Sequence, residues 1–349
     1  MNKWLKLCCK LYNEFLEERI IEYKQNGNRI TQRQQQDSLP FKKETYQEYK
    51  EVYARTLQEV TIRLDKSFKN FFRRVKEKKE KPGFPRFKNE NNYNSFIYSQ
   101  LGFKLKNNHL WLSKIGDIKI NLNRPIEGEI KELRIKRKIS GWYVSIVCDT
   151  GQIKQNIKNN YAIGLDLGIK HFLITSNGEF INNPKIYKNT QEKFSLEQHI
   201  LKRKQRGSNR YNKQKIKLAK IHEKIENQRK DFHHKLSKQI ADNYEIIVIE
   251  KLDIKSMINK TKIHNINKAT YDVGWYQFIQ FLNYKVENTG GKLIEVDPKN
   301  TSQECSKCGK YVNKQLEERI HKCPYCNLIL DRDINAAINI LNKGLKQIS

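Results

Sequence analysis

The chain has 349 residues, of which 68 are Lys or Arg and 38 are Asp or Glu, a net charge of +30. Such a surplus repels itself in a compact fold unless a polyanion neutralises it, so nucleic acid is the expected partner; a merely solvated surface in a lysine-rich proteome is the weaker reading. No apolar run approaches the roughly 18 residues of a membrane span, and the start, MNKWLKLCCKLYNEFLEER, lacks the apolar run and cleavage site of a secretion signal. The expected setting is therefore the cytoplasm, with the seven cysteines reduced or metal-bound.

Length implies two or three domains, and the hydrophobic share of 37% is enough for a core. Residues 3 to 78 read mostly as helix. A first helical pattern stops at Asn26-Gly27, and a second, longer one runs without a break from Glu44 to Lys81. After the turn-rich PGFPRF, short alternating runs (SFIYS, FKLKNNHLWLSKIG, DIKINL, IKELRIKRKISGWYVSIVCD) predict a small antiparallel, barrel-like domain over residues 82 to 155. YAIGLDLGI, KHFLITS and EFIN, with Asn177-Gly178 as a turn, predict a three-stranded antiparallel meander. Residues 191 to 240 form a basic helical hairpin turning at Gly207-Ser208. Next come the buried strand YEIIVIEKL, an amphipathic helix VGWYQFIQFLNYKVENTGG, the strand KLIEVD, a cysteine-rich segment and a closing helix.

Two sets of residues carry chemistry. Cys305-x2-Cys308 and Cys323-x2-Cys326 have the spacing of two knuckles around one tetrahedral Zn²⁺. Two disulfides or a redox pair are the alternatives; the first is out of place in the cytosol, and the second needs no duplicate. A closed four-sulfur site is structural. Cys148 reads as core, and Cys8 and Cys9 lack any such spacing. The second set is acidic. Asp166 sits in an apolar strand, Glu250 ends another, and Asp333 opens the helix INAAINIL. A carboxylate among β-branched residues is costly unless a positive group holds it. Taken singly, Asp333 or Asp331 reads as a helix cap and Glu250 as a strand-end acid. Taken together, two strands and a helix can bring three acids to one or two hard cations, Mg²⁺ or Mn²⁺. Two such ions about 3.5–4 Å apart serve phosphodiester hydrolysis. A basic chain with an acidic cluster of this kind reads as a nuclease.

The order meander, helices, strand, helix, strand, helix is that of an α+β, ribonuclease-H-like (RuvC) domain with acids on its first strand, fourth strand and last helix. GLDLGIK, IIVIEKL, SQECSKCG, CPYC and DRDINAAINI resemble the split RuvC motifs and zinc ribbon of the transposon-encoded TnpB (OrfB) family, compact RNA-guided nucleases related to type V CRISPR effectors. SFKNFFRRVK, KPGFPRFK, FHHKLS and GWYQFIQFLNYK also match, so the resemblance covers nearly the whole chain. It implies Asp166, Glu250 and Asp333 as the catalytic, Mg²⁺-binding acids, with Asp331 the less favoured third acid. It implies a structural Zn²⁺ on Cys305, Cys308, Cys323 and Cys326. The domains would be a helical recognition lobe over 1–80, a wedge-like β-barrel over 81–157 and a RuvC-like nuclease domain over 158–296. A zinc ribbon over 297–330 and the RuvC-like final helix over 331–349 would complete the chain.

The resemblance further implies a guide RNA copied from the transposon end, and target DNA beside a short transposon-adjacent motif. Gln32 and Gln58 match positions that contact the motif, and Gln suits adenine edges. Family members begin with a further stretch that includes a basic barrel strand, so the barrel is expected to be a strand short or the chain a shortened form. Lys202, Arg203, Lys204 and Arg206 in the basic hairpin are expected to bind RNA or an RNA–DNA heteroduplex, and Lys307, Lys310 and Lys322 of the ribbon to touch substrate phosphates. The protein would act inside the cell, on the nucleoid. A nuclease-inactive, RNA-guided repressor is the rival function. A sugar-kinase-like ATPase lacks the glycine-rich phosphate loops it would need, and the ribbon's position disfavours direct transposition by an acidic triad.

Overall fold

The computed structural model describes residues 1–78, 81–151, 161–252, 272–315 and 318–348, apart from the Gln100 side chain. The chain divides into two compact units, Met1–Gly151 and Gln152–Ser349. The domain boundary expected at residue 157 lies outside the described residues.

In the first unit, α1 (Asn2–Asn26) ends where the sequence places its stop. Gly27 takes a left-handed φ of 69° and its N–H returns to the Tyr23 carbonyl. A short α2 (Gln32–Asp37) starts at a capping box, in which Thr31 and Gln34 satisfy each other's backbone N–H. The single long helix expected from Glu44 onward is instead broken. There is α3 (Leu39–Thr45), a 3₁₀ turn over Gln47–Glu51, and then α4 (Ala54–Glu77). The break has a packing cause. Tyr49 is buried with its hydroxyl bonded to Glu14 of α1, and Val52, in extended conformation, is fully buried three residues on. Tertiary burial overrides helix propensity, which is worth only tenths of a kcal/mol per residue.

The alternating runs form β1 (Ser95–Ser99), β2 (Phe103–Lys106), β3 (His109–Leu112), β4 (Gly116–Lys119), β5 (Glu129–Arg137) and β6 (Trp142–Asp149). They pair into two antiparallel three-stranded sheets, β1-β5-β6 and β2-β3-β4. Inward-facing Phe96, Tyr98, Leu110, Leu112, Leu133 and Ile135 share one core with α1 and α4.

The second unit is built on a five-stranded sheet. Its strands are β7 (Ala162–Leu167), β8 (His171–Thr175), β9 (Phe180–Asn182), β10 (Ile246–Glu250) and β11 (Lys292–Val296), in the order β11-β10-β7-β8-β9. β7, β10 and β11 run parallel; β8 and β9 complete the antiparallel meander. α5 (Ile186–Lys202) and α6 (Asn209–Asn243) form the hairpin, with Gly207 at φ 88° and Ser208 capping α6. α7 (Trp275–Asn288) precedes β11. A two-stranded ribbon of β12 (Ile320–Lys322) and β13 (Ile329–Asp331) leads into α8 (Arg332–Leu345).

Strand alternation decides which face each helix covers. Ile163, Leu165, Ile247 and Ile249 face Leu236 and Ile240 of α6 and Phe278 and Leu282 of α7. The intervening residues face α8. Val248 packs with Ile340, and Gly164 lies so close to α8 that a Cβ there would stand 2.1 Å from the Ala337 carbonyl oxygen. Glycine on the strand and Ala336 and Ala337 on the helix permit that approach. Among the described residues no helix is long and apolar enough to cross a membrane.

Candidate active site

Asp166 and Glu250 follow Gly164 and Val248 by two residues, so both carboxylates emerge on the α8 face, at the carboxyl ends of parallel strands. The ladder that pairs Ile249 with Leu165 sets Glu250 beside Asp166. α8 begins above them, and its first turn carries Asp333. Open parallel sheets bind ligands at the carboxyl ends of their strands because the helix and loop termini converge there.

Burial and neighbouring charge both act on these acids. The Asp166 pKa is pushed up to about 8, first by burial, then by the charges of Glu250 and Asp333, against a partial offset from Arg332. Glu250 is also raised, by burial, although a hydrogen bond from Thr301 and the charge of Lys343 pull the other way. A carboxylate so placed favours its neutral form until further positive charge stands beside it. Asp333 forms an ion pair with Arg319 of the ribbon at 3.6 Å.

The two candidates at the helix start have separate tasks. Asp331 is the N-cap: its Oδ1 accepts the N–H groups of Asp333 (2.8 Å) and Ile334 (3.3 Å). Asp333 makes no cap bond; the charges of both aspartates raise Asp166, that of Asp333 more than that of Asp331. The carboxylate oxygens of Asp166, Glu250 and Asp333 are hard donors that fit Mg²⁺ or Mn²⁺.

The four cysteines form a second, chemically different cluster. Their sulfurs lie within 4.8 Å of one another, with Cys305–Cys326 at 3.5 Å and Cys308–Cys323 at 3.6 Å. Four thiolates in a closed tetrahedron suit zinc. The two knuckles are folded alike. Cys305 N–H donates to the Lys310 carbonyl and Gly309 N–H to that of Cys305; Cys323 N–H donates to Leu328 and Asn327 N–H to Cys323. Gly309 (φ 71°) and Asn327 (φ 54°) occupy equivalent left-handed positions just after the second cysteine.

Sequence patterning missed the polar residues around the acids. Thr301, Arg319, Arg332 and Lys343 each act on one of them, and no spacing rule marks them. The expected nucleic-acid residues lie elsewhere. Gln32 opens α2, and Gln58 sits half-buried on α4, accepting from Arg55 at 2.8 Å. Lys202 is the last residue of α5, and Arg203, Lys204 and Arg206 form the turn beyond it. Lys307 and Lys322 are exposed, and Lys310 lies over the Tyr325 ring at 4.5 Å.

Comparison with known proteins identifies the family. A family profile described as "Probable transposase" (OrfB_IS605) matches residues 145–261, and one described as "Cas12f1-like, TNB domain" matches 275–340. The "Putative RNA-guided DNA endonuclease" of Streptomyces pristinaespiralis is 31% identical over 336 residues, 94% of this chain and 79% of that protein. The chain belongs to the TnpB (OrfB) family. The "Putative RNA-guided DNA endonuclease InsQ" of Escherichia coli K12 is 29% identical over 310 residues, 84% of this chain and 75% of that protein. The fold matches a solved Cas12f1 chain from a complex with sgRNA and target DNA, at TM-score 0.60 and 17% identity, covering 98% of this chain and 82% of that one.

Proposed function

We propose that the protein is an RNA-guided DNA endonuclease of a mobile element, and that Asp166, Glu250 and Asp333 hold its catalytic divalent cations. The observation that supports the reading is positional: Asp166 and Glu250 stand side by side on paired parallel strands, and Asp333, whose charge acts on Asp166, lies in the first turn of the helix on the same face. Mg²⁺ or Mn²⁺ bound there supplies water activation and stabilisation of the leaving oxygen in phosphodiester hydrolysis. The chain's own residues hold the geometry. The sheet register sets Asp166 and Glu250 side by side, Asp331 fixes the start of α8, and that start presents Asp333.

In this reading the five-stranded sheet with α8 is a ribonuclease-H-like (RuvC) nuclease domain, and the cysteine segment is an inserted ribbon closed by one Zn²⁺. The two three-stranded sheets form a wedge-like barrel carrying a helical recognition lobe. A guide RNA from the transposon end supplies sequence recognition. Gln32 and Gln58 face the transposon-adjacent motif of the target DNA. Lys202, Arg203, Lys204 and Arg206, at an exposed hairpin turn, contact RNA or heteroduplex backbone. Lys307 lines a cleft of about 490 Å³ with Lys343 and Lys346, a setting suited to a phosphate chain. The protein works in the cytoplasm, on the nucleoid. A nuclease-inactive repressor has no use for the acidic trio, so that alternative is disfavoured.

The test is programmable cutting. Protein purified with its RNA is expected to cut double-stranded DNA in Mg²⁺ at a site that moves when the guide segment is rewritten. Equal cutting by RNA-free protein, or a cut site indifferent to the guide, would replace this reading with a plain metal-dependent nuclease.

A further inference from the structure

Thr301 lies in the loop between β11 and the first knuckle, 4% exposed. Its hydroxyl bonds Glu250 Oε1 at 2.5 Å and stands 3.0 Å from the Pro298 carbonyl oxygen. A hydroxyl has one proton. Against an ionised carboxylate that proton goes to Glu250, because a charged acceptor forms the stronger bond. One carboxylate oxygen is thereby fixed and the other left for a ligand.

The loop itself is held from α8 by two buried asparagines, one turn apart on the same face. Asn339 Nδ2 donates to the Thr301 carbonyl (2.9 Å) and to the Glu304 carbonyl (2.7 Å). Asn335 Nδ2 donates to the same Glu304 carbonyl (2.7 Å), and its Oδ1 accepts Ser306 N–H (2.9 Å). Glu304 and Ser306 flank Cys305. An unbroken run of hydrogen bonds therefore joins the first knuckle, the helix that carries Asp333, and Glu250. An amide side chain buried without partners is costly, and all the named bonds of this pair are spent on that one loop.

We propose that Thr301 is a positioning residue: its hydroxyl turns Glu250 to present the remaining carboxylate oxygen to a divalent cation, and Asn335 and Asn339 make that orientation depend on the first cysteine knuckle. The proposal rests on the reading of Asp166, Glu250 and Asp333 as a cation site. Partners that orient a metal ligand typically contribute about 10- to 100-fold in metal affinity or activity.

Ferrous ion is the probe. Bound at the acids of the full-length protein with its RNA, in ascorbate and peroxide, it cuts the polypeptide beside the ion, so fragment yield reports occupancy without any DNA cleavage. Thr301→Val keeps the shape and removes the hydroxyl; it is expected to raise the half-saturating Fe²⁺ concentration about 10- to 100-fold, with zinc content and Tm unchanged. Thr301→Ser keeps the hydroxyl and is expected to hold the wild-type midpoint. A wild-type midpoint for valine, or equal shifts for valine and serine, would overturn the proposal. Thr301→Ala provides the same comparison if the valine variant does not fold. Asn339→Ala is expected to shift the midpoint the same way, and no shift would overturn the link to the knuckle. Glu250→Ala is the control for the underlying reading. If it leaves the fragments unchanged, the cation site itself is misassigned and the proposal falls with it.

Discussion

The four cysteines and the three acids sit in one unit of the molecule, and the proposed reading gives each set a cation, but they are assembled in opposite ways. The cysteines come from two tight turns close in sequence, each closed by its own backbone hydrogen bonds. The acids come from residues 166, 250 and 333, brought together only by the completed sheet and the helix laid across it. The cysteine site has little apolar surface of its own, so its ion stabilises the local fold. The proposed acid site is scaffolded by a buried sheet, and an ion bound there would offset the burial and like charge that raise Asp166. On the proposed reading the first cation would belong to structure and the second to chemistry.

The largest effect should come from breaking the cysteine side of that contrast. Structural zinc contributes about 10–16 kcal/mol of apparent binding free energy in isolated zinc-finger peptides. The Cys305→Ser, Cys323→Ser double variant is therefore expected to lose its zinc and unfold the ribbon, exposing residues 305–330 to protease at temperatures where the wild type resists. Elemental analysis of reduced wild-type protein should find about one zinc per chain, as a single closed site requires. Zinc-free protein with an unchanged protease pattern would break the comparison.

Breaking the acid side should act on rate and leave the fold alone. On the proposed reading Asp166→Ala, Glu250→Ala or Asp333→Ala removes a group that would act in the transition state, while lysines and arginines would bind the phosphates. Cleavage should fall by about 10³-fold or more, equivalent to roughly 4 kcal/mol of barrier, with RNA and DNA affinity near wild type. Asp331→Ala should instead cost about 1 kcal/mol of stability as a lost helix cap. Near-normal cleavage by Asp333→Ala beside a dead Asp331→Ala would exchange the two roles.

What was legible in the sequence follows the same divide. The cysteine knuckles were readable because metal spacing is a local property, and the hairpin turn at Gly207-Ser208 because a left-handed glycine and a serine cap mark it. Asp166 and Glu250 were visible as acids in apolar strands, an anomaly of local pattern. Which of Asp331 and Asp333 caps the helix was not, because it depends on which carboxylate bonds the helix N-terminus. Thr301, Asn335 and Asn339 were invisible, since their importance lies wholly in partners distant in sequence. The long helix expected from Glu44 failed for a related reason: Tyr49 and Val52 are buried against residues far from them in sequence.

The smallest effect, and the one that sharpens the contrast most, is the pH dependence of the acid site before any cation arrives. Asp166 is raised in the folded protein to about 8 from its ordinary 3.8. The native state therefore binds more protons at this group than the unfolded chain throughout that window. The resulting stability is fully present below about pH 4, declines as pH rises through the window, and is gone above about 8. Removing the charge should remove the loss. In protein freed of Mg²⁺ and Mn²⁺ but keeping its zinc, Asp166→Asn is expected to raise Tm at pH 8 by about 2–4 °C for each kcal/mol relieved. It should do little near pH 4, where the wild-type carboxyl is already neutral. Divalent affinity should run the other way, rising up to about tenfold per pH unit and levelling near pH 8, because the incoming ion displaces one proton. Calorimetry at several pH values measures both. A wild-type Tm at pH 8 equal to or above that of Asp166→Asn would mean that neither burial nor the neighbouring acids penalise the ionised Asp166 carboxyl, and the proposed cation site would lose the penalty that a bound ion is expected to offset.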